Sequence, residues 1–448
     1  MKNSPLKIFL LVLVTVLLLL PCQWLPALQI GNYEIKRTAL LADVLPTADE
    51  ADTVALPALA PVKPVKARRD SCPPGVVCID DYEDASQRGM TPFFRALSER
   101  ETLGRPVRIA YLGDSFIEAD ILTGPLRDLL QQHYGGCGVG FVEIAAPFAA
   151  YRTTLKHTYG GWNTFSVLDK GKYENRFLNL NGRYFTPRST AWAELSGHRN
   201  GRADSADVHT LYLQTDQPAK VGLKLDDHPM WALPVEGGGR IRAVSLDQRA
   251  ACARWQVPAG SHVVCWGAAE EGRKGVSVDN YSLRGSSGMQ LASITDEVLR
   301  QYAEVRPYDL IVIQYGLNVA EKKKTNYRAY AVQMQKIVER LKQCLPQAGF
   351  LIVGVGDREN RLADGQLHTM PGVKALMRYQ QNLAADCHVA FWNLYEGMGG
   401  EGSIRRMAEA KPAEAQKDYT HINAKGGRRV AEALFKALKY GYEQYQKP

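Results

Sequence analysis

Apolar and polar positions follow two different rhythms along this chain, each in its own stretch. Val107–Leu112 is a short apolar run, long enough for one buried strand. It stops at Gly113-Asp114-Ser115, and a helix-like run follows from about Glu118 to His133, broken or restarted at Gly124-Pro125. The same strand-then-helix rhythm resumes after Gly275. It predicts strands at Val276–Leu283, Tyr308–Tyr315, Phe350–Val355 and His388–Asn393, and helices at Met289–Tyr302, Tyr327–Cys344, Gly372–Ala385 and Lys425–Tyr442. Such alternation implies a parallel sheet covered by helices on both faces. A helix from Thr91, with Thr91 as its N-cap and Pro92 at its first position, leads into the Val107 strand.

Between Tyr151 and about Gly275 the helical period disappears. Short alternating runs recur at Thr210–Leu213, Val221–Leu225, Ile241–Ser245, Arg254–Val257 and His262–Trp266, punctuated by Gly, Pro, Asn and Asp. That is the pattern of an all-β sandwich. The expected architecture is therefore one α/β domain, 79–150 and 276–448, interrupted by a β module at 151–275. The glycine-rich Tyr134–Phe141 stretch reads as a tight surface loop, since no strand–turn–helix phosphate cradle fits it.

The N-terminus stands apart. Lys2 and Lys7 precede the apolar Ile8–Leu20, and apolar character continues after Pro21 to Ile30. Residues 1–30 read as a signal anchor or signal peptide, with the chain downstream outside the membrane. Residues 31–78 read as an extended Ala/Pro/Val-rich linker. Cysteine usage fits export: Cys72-Pro-Pro-Gly-Val-Val-Cys78 suits a local disulfide, and no cysteine spacing matches a zinc site. Cys252 and Cys265 flank an expected hairpin, Cys344 and Cys387 lie near helix ends, and Cys137 is the candidate for a leftover thiol. The net charge of +8 is spread along 448 residues. Its clusters at Lys63–Arg69 and Lys322–Lys324 carry no interleaved aromatics, so no nucleic-acid partner is expected.

Candidate chemistry lies at the ends of strands. Ser115 follows the Val107 strand on a turn into a helix, where a hydroxyl is exposed and N–H groups favour negative charge. Leu310–Asn318 is a second buried strand, ending in a glycine and a carboxamide. Asp418-Tyr-Thr-His421 opens the last helical run. A serine needs a base, and His421 with Asp418 three residues before it can supply one.

These blocks, in this order, resemble the SGNH (GDSL-type) hydrolase superfamily over about Val107–Phe141 and Val276–Tyr442. The resemblance implies a flavodoxin-like α/β fold, Ser115 as nucleophile, and Asp418 and His421 as its partners. It also implies an oxyanion hole built from the Ser115 N–H, Asn318 and a glycine. In Val278–Gly285, similar to the family's second block, that glycine is Gly285, with Gly288 as the alternative. Val319 stands where the family has Asp after the asparagine, and Phe116 where it has leucine. A β module inserted after the first block is similar to periplasmic peptidoglycan O-acetylesterases. That implies hydrolysis of acetyl esters on an envelope glycan without metal or cofactor, at the periplasmic face of the inner membrane, or as a secreted protein if the N-terminal segment is cleaved. Two other readings remain open. One is an O-acyltransferase working beside a membrane-bound partner; the other is a non-catalytic glycan-binding protein. Trp162, Trp192, Trp255 and Trp266 are candidates either for stacking on sugar rings or for the sandwich core. The remaining histidines show no metal-ligand spacing, and Gly354-Val-Gly-Asp357 lacks a full nucleotide fingerprint.

Overall fold

A computed structural model describes residues 71–448, apart from Lys170, Asn200, residues 362–364 and Pro448. Before residue 71 it describes Val14 and the backbone of two three-residue strands. Most of the apolar N-terminal segment and of the linker thus lies outside the described residues. Within residues 1–59, Leu28–Ile30 pairs antiparallel with Tyr33–Ile35, so the end of the apolar stretch is the arm of a small hairpin. Among the described residues no helix is long and apolar enough to cross a membrane.

The body of the chain is built on a six-stranded sheet. Its strands run in the order Val276–Ser282, Val107–Gly113, Leu310–Gln314, Gly349–Val353, Ala390–Trp392 and Asp80–Asp81. All pair in parallel except the last, which closes the edge antiparallel. The Val107, Leu310, Gly349 and Ala390 strands are buried throughout, as continuous apolar runs in a doubly covered sheet must be. The chain leaves the Val107 strand for the neighbour on one side and returns to Leu310–Gln314 on the other. The two central strands therefore flank the topological switch point, where open α/β sheets bind ligands beyond the strands' carboxyl ends.

Some local expectations change. The break after Ser115 falls at Ala119 and Asp120, which take φ of +53° and +62°, and the helix then runs Thr123–Tyr134. Gly124-Pro125 sits in its first turn, where a proline's missing N–H costs nothing. Met90 rather than Thr91 is the N-cap of the Thr91–Ser98 helix. The helix expected from Met289 is a 3-10 turn, Met289–Ser293. The α-helix starts at Asp296, because the Thr295 hydroxyl caps the N–H of Val298.

The inserted region is a continuous ten-stranded antiparallel sheet rather than two separate ones. The long strand Arg183–Arg199 joins its halves, pairing with Leu155–Ser166, with Cys252–Val257 and, at Phe185, with Val264–Glu271. Leu211, Leu213, Val221, Leu223 and Trp255 share one core. This sheet begins before Tyr151: Gly140–Glu143, which starts inside the expected Tyr134–Phe141 loop, pairs with Gly267–Glu270. The expected hairpin between Cys252 and Cys265 does not form. Cys252–Val257 pairs with Ala219–Leu225, while Val264–Glu271 pairs with Ala206–Gln214.

The two sheets share a core in which Phe141, Tyr212 and Trp266 pack with Tyr281, Tyr302 and Ile311. They also share a buried charge network. Arg306, fully buried, forks onto Asp279 at 2.7 and 2.9 Å and onto Glu271 at 3.1 and 3.3 Å. Arg108 pairs with Glu271 at 2.6 Å, and the Tyr212 hydroxyl accepts from Arg306 at 2.8 Å. Burial alone would raise the Glu271 carboxyl; the two arginines overcome it and hold the group at about 2.

Cys72 and Cys78 are disulfide-bonded. Cys137, Cys252, Cys265, Cys344 and Cys387 are free thiols, so among the described residues pairing stops at one bridge where the sequence suggested more.

Candidate active site

Ser115 lies two residues beyond Gly113, which pairs with Gln314 across the switch point. Its Oγ is 3.2 Å from His421 Nε2, and His421 Nδ1 is 2.6 Å from Asp418 Oδ2. Asp418 Oδ1 also accepts the N–H groups of Thr420 and His421, each at 3.0 Å. Those bonds and the imidazole overcome the effect of burial and hold the Asp418 carboxyl below its ordinary range. A carboxylate on Nδ1 fixes the proton there and leaves Nε2 free to accept from the serine.

The loop carrying both groups is braced on each side. Glu359 donates its N–H to the Tyr419 carbonyl, Gln416 to that of His421, and Ala415 bridges to Ile422. Asn423 then caps the helix Ala424–Tyr445, accepting from the N–H groups of Lys425 and Gly426. The cap is Asn423, so His421 is left free of that duty and faces the serine.

The second block arrives by parallel pairing, Val276–Ser282 against Val107–Gly113, extended by the Leu283 N–H to the Gly113 carbonyl at 2.9 Å. The register carries Gly285 alongside the serine turn. Asn318 binds the two blocks together: its Nδ2 donates to the Ser286 carbonyl at 3.0 Å and to Asp114 Oδ2 at 3.3 Å. Among the described residues, neither the Ser115 nor the Gly285 N–H donates a hydrogen bond within the chain. Gly285 takes φ of +78°, with open space where a Cβ would stand. The alternative, Gly288, has already spent its N–H on the Ser286 hydroxyl at 2.9 Å. A Cβ there would strike the Tyr315 ring at 2.9 Å.

No family model matches the sequence, and no curated protein matches it. A solved structure of a peptidoglycan O-acetylesterase superposes with a TM-score of 0.67 at 21% identity, over 82% of this chain and 99% of that one. The fold is that of the SGNH hydrolases. A family two carbohydrate esterase from Cellvibrio japonicus is 11% identical over 65% of this chain and 99% of its own, with a TM-score of 0.27, too loose a superposition to add weight.

Within this SGNH frame the structure adds one residue that the sequence reading passed over. Asp114, 2% exposed, accepts the Phe116 N–H at 2.9 Å and the Asn318 amide at 3.3 Å. Burial pushes its carboxyl up to about 6, although the Phe116 N–H, His421 and Asn318 all pull it down. Asp114 thus shapes the serine turn and aims Asn318 at once. The only signal in the sequence was its place between Gly113 and Ser115. Val319, where the family has Asp, leaves the asparagine loop braced otherwise: the Val319 and Ala320 N–H groups bond the Gly316 carbonyl, and Arg358 Nη1 donates to the Leu317 carbonyl at 3.0 Å.

Three of the four tryptophans, Trp162, Trp255 and Trp266, are buried, and the partly exposed Trp192 ring is covered by an arginine. Trp266 Nε1 donates to the Phe177 carbonyl. Trp162 Nε1 donates to the Trp192 carbonyl, and the Arg254 guanidinium lies 4.0 Å over the Trp192 ring.

Proposed function

We propose that this chain is a serine esterase that removes O-acetyl groups from a cell-envelope glycan. The observation that carries the reading is the hydrogen-bonded series Ser115–His421–Asp418 at the switch point, beside two unspent N–H groups and a carboxamide. Ser115 Oγ attacks the acetyl carbonyl as its proton passes to His421 Nε2. The charge that develops on the carbonyl oxygen meets the unspent N–H groups of Ser115 and Gly285, and the Asn318 amide once one of its two hydrogens turns to it from Asp114 or Ser286. On collapse His421 returns the proton to the departing sugar oxygen. Water then attacks the acyl-serine, giving a proton to His421; on collapse the Oγ–acyl bond breaks, His421 returns that proton to Ser115 Oγ, and acetic acid leaves.

The glycan is suggested by the likeness to the peptidoglycan O-acetylesterase structure, which extends through the inserted sheet. A location outside the cytoplasm, with residues 1–30 as anchor or signal, is supported by that apolar segment and by the Cys72–Cys78 disulfide. The test is acetate release from p-nitrophenyl acetate and from O-acetylated peptidoglycan. Turnover on both supports the reading; acyl transfer to a glycan hydroxyl without free acetate would make it a transferase. Inertness toward both would leave a binding protein.

A further inference from the structure

With three tryptophans buried and Trp192 covered by an arginine, the aromatic surface left near Ser115 belongs to another segment. Residues 146–152 leave the Gly140–Glu143 strand and lie against the turn that follows the nucleophile. Phe148 and Ala149 line a cleft together with Glu118, Ala119, Asp120 and Ser282. Ser282 pairs with Gly113, and the Glu118 N–H bonds the Ser115 carbonyl, so the cleft adjoins the nucleophile's own turn. Tyr151 extends the apolar wall outward. Its ring is 6.5 Å from that of Phe148, and it is 74% exposed, the most exposed of the large hydrophobic side chains among the described residues.

The loop is held in place before any ligand arrives. His157 Nε2 bonds the Ile144 carbonyl at 3.2 Å, and the Tyr159 hydroxyl donates to the Ala146 carbonyl at 3.1 Å. Arg152 and the Thr154 hydroxyl both reach Asp120 Oδ2, at 2.8 and 2.6 Å. Those bonds, with Arg127 and Thr123, also hold Ala119 and Asp120 in their left-handed conformation. Strain of that kind persists where surrounding bonds over-determine it, and it concentrates at functional sites. The charges around the cleft are mutually spent: Arg152 on Asp120, Arg183 on Glu143 at 2.8 Å, and Arg284 on Glu118 at 2.7 Å. Each of these guanidinium groups thus faces a carboxylate, which leaves the described residues of the cleft without an excess of positive charge for a carboxylate or phosphate on a ligand.

We propose that Phe148 and Tyr151 form a subsite on which an uncharged pyranose ring of the glycan strand stacks, beside the acetylated residue held at Ser115. The proposal rests on the esterase reading for its second half only, since stacking needs no turnover. An aromatic face and the apolar face of a pyranose are complementary, and a preformed loop spares the cost of ordering it.

The test titrates the full-length protein with chitotetraose, an uncharged oligosaccharide, by calorimetry. Tyr151→Ala and Phe148→Ala should each raise Kd by roughly tenfold, and Tyr151→Phe by no more than about twofold, since the stacking face is kept. On O-acetylated peptidoglycan the alanine variants should lose kcat/KM through KM, with kcat retained, a split that a folding defect would not give. Alanine variants that bind chitotetraose as the wild type does would overturn the subsite. So would a wild type that ignores chitotetraose and binds tetragalacturonic acid. A wild type that binds chitotetraose through Tyr151 yet releases no acetate from any ester would keep the subsite and sink the esterase.

Discussion

Asp114→Asn keeps the shape of the side chain and exchanges one acceptor oxygen for an amide. In the native site Asp114 Oδ1 accepts from Phe116 and Oδ2 from Asn318. An asparagine can still accept from Phe116, but its own NH₂ then meets that of Asn318, donor against donor. Asn318 must turn, and the proposed oxyanion site loses the brace that holds its carboxamide in place. Removing one oxyanion donor lowers kcat by roughly 10²–10³-fold. Stability should move the opposite way. A carboxyl raised from 3.8 to about 6 is held in its charged form at neutral pH at a cost of roughly 3 kcal/mol, taking about 1.4 kcal/mol per tenfold change in proton affinity. The sign follows from linkage: below 3.8 both folded and unfolded chains are protonated and the wild type carries no penalty. Between 3.8 and about 6 only the unfolded chain ionises, so the penalty grows with pH and is complete above about 6. The uncharged variant escapes it. Thermal melts of both proteins should therefore nearly coincide at pH 4, while at pH 7.5 the variant melts higher and turns over p-nitrophenyl acetate far more slowly. A melting difference independent of pH would refute the buried charge, and unchanged turnover would refute its hold on Asn318.

Asn318→Ala should lower kcat by roughly 10²–10³ with little change in KM, read on the same ester; a defect in KM alone would make Asn318 a substrate-holding residue. Arg306→Met leaves Asp279 and Glu271 buried with Arg108 as the sole remaining arginine, so equilibrium unfolding should show a loss of about 3–5 kcal/mol, and a loss under about 1 kcal/mol would discount the network. Glu271 gives a pH signature for the same network. Held at about 2 against an ordinary 4.5, it contributes stability above 4.5 that is lost as pH falls through 2, and in Arg306→Met that loss should begin at higher pH in acid titrations followed by circular dichroism.

The parallel sheet and the order of its strands' chemistry were legible because each central strand is a continuous apolar run ending in a glycine turn. Ser115 and Asn318 stand at such ends, the Asp418–His421 loop precedes the last helix, and the structure brings them together. What stayed illegible depends on partners distant in sequence. Nothing local distinguishes Asp114 from any turn aspartate; what sets it apart is its burial and its bond from Asn318, which is distant in sequence. Arg306 reads as a surface arginine until Asp279 and Glu271 close around it. The Gly140–Glu143 strand was hidden by its glycines. Gly138 and Gly140 take positive φ, and a Cβ on Gly138 would lie 2.2 Å from the Glu270 carbonyl oxygen, so the glycines mark close strand approach rather than a loop. The Leu155–Ser166 strand was masked by a shift of register between Gly160 and Trp162, which breaks the period-two pattern. The shared aromatic core also changes how the inserted sheet can be probed. Excising it would expose Tyr281 and Tyr302, so point substitutions at its surface are the cleaner test.

The most direct test of the serine mechanism is to treat the protein with a fluorophosphonate and locate the adduct by peptide mass spectrometry. The expected result is one adduct per chain, on the peptide containing Ser115, with loss of ester turnover in proportion to labelling and no labelling of Ser115→Ala or His421→Ala. An adduct on another residue, or ester turnover that survives Ser115→Ala in the folded protein, would contradict the assignment of Ser115 as the nucleophile.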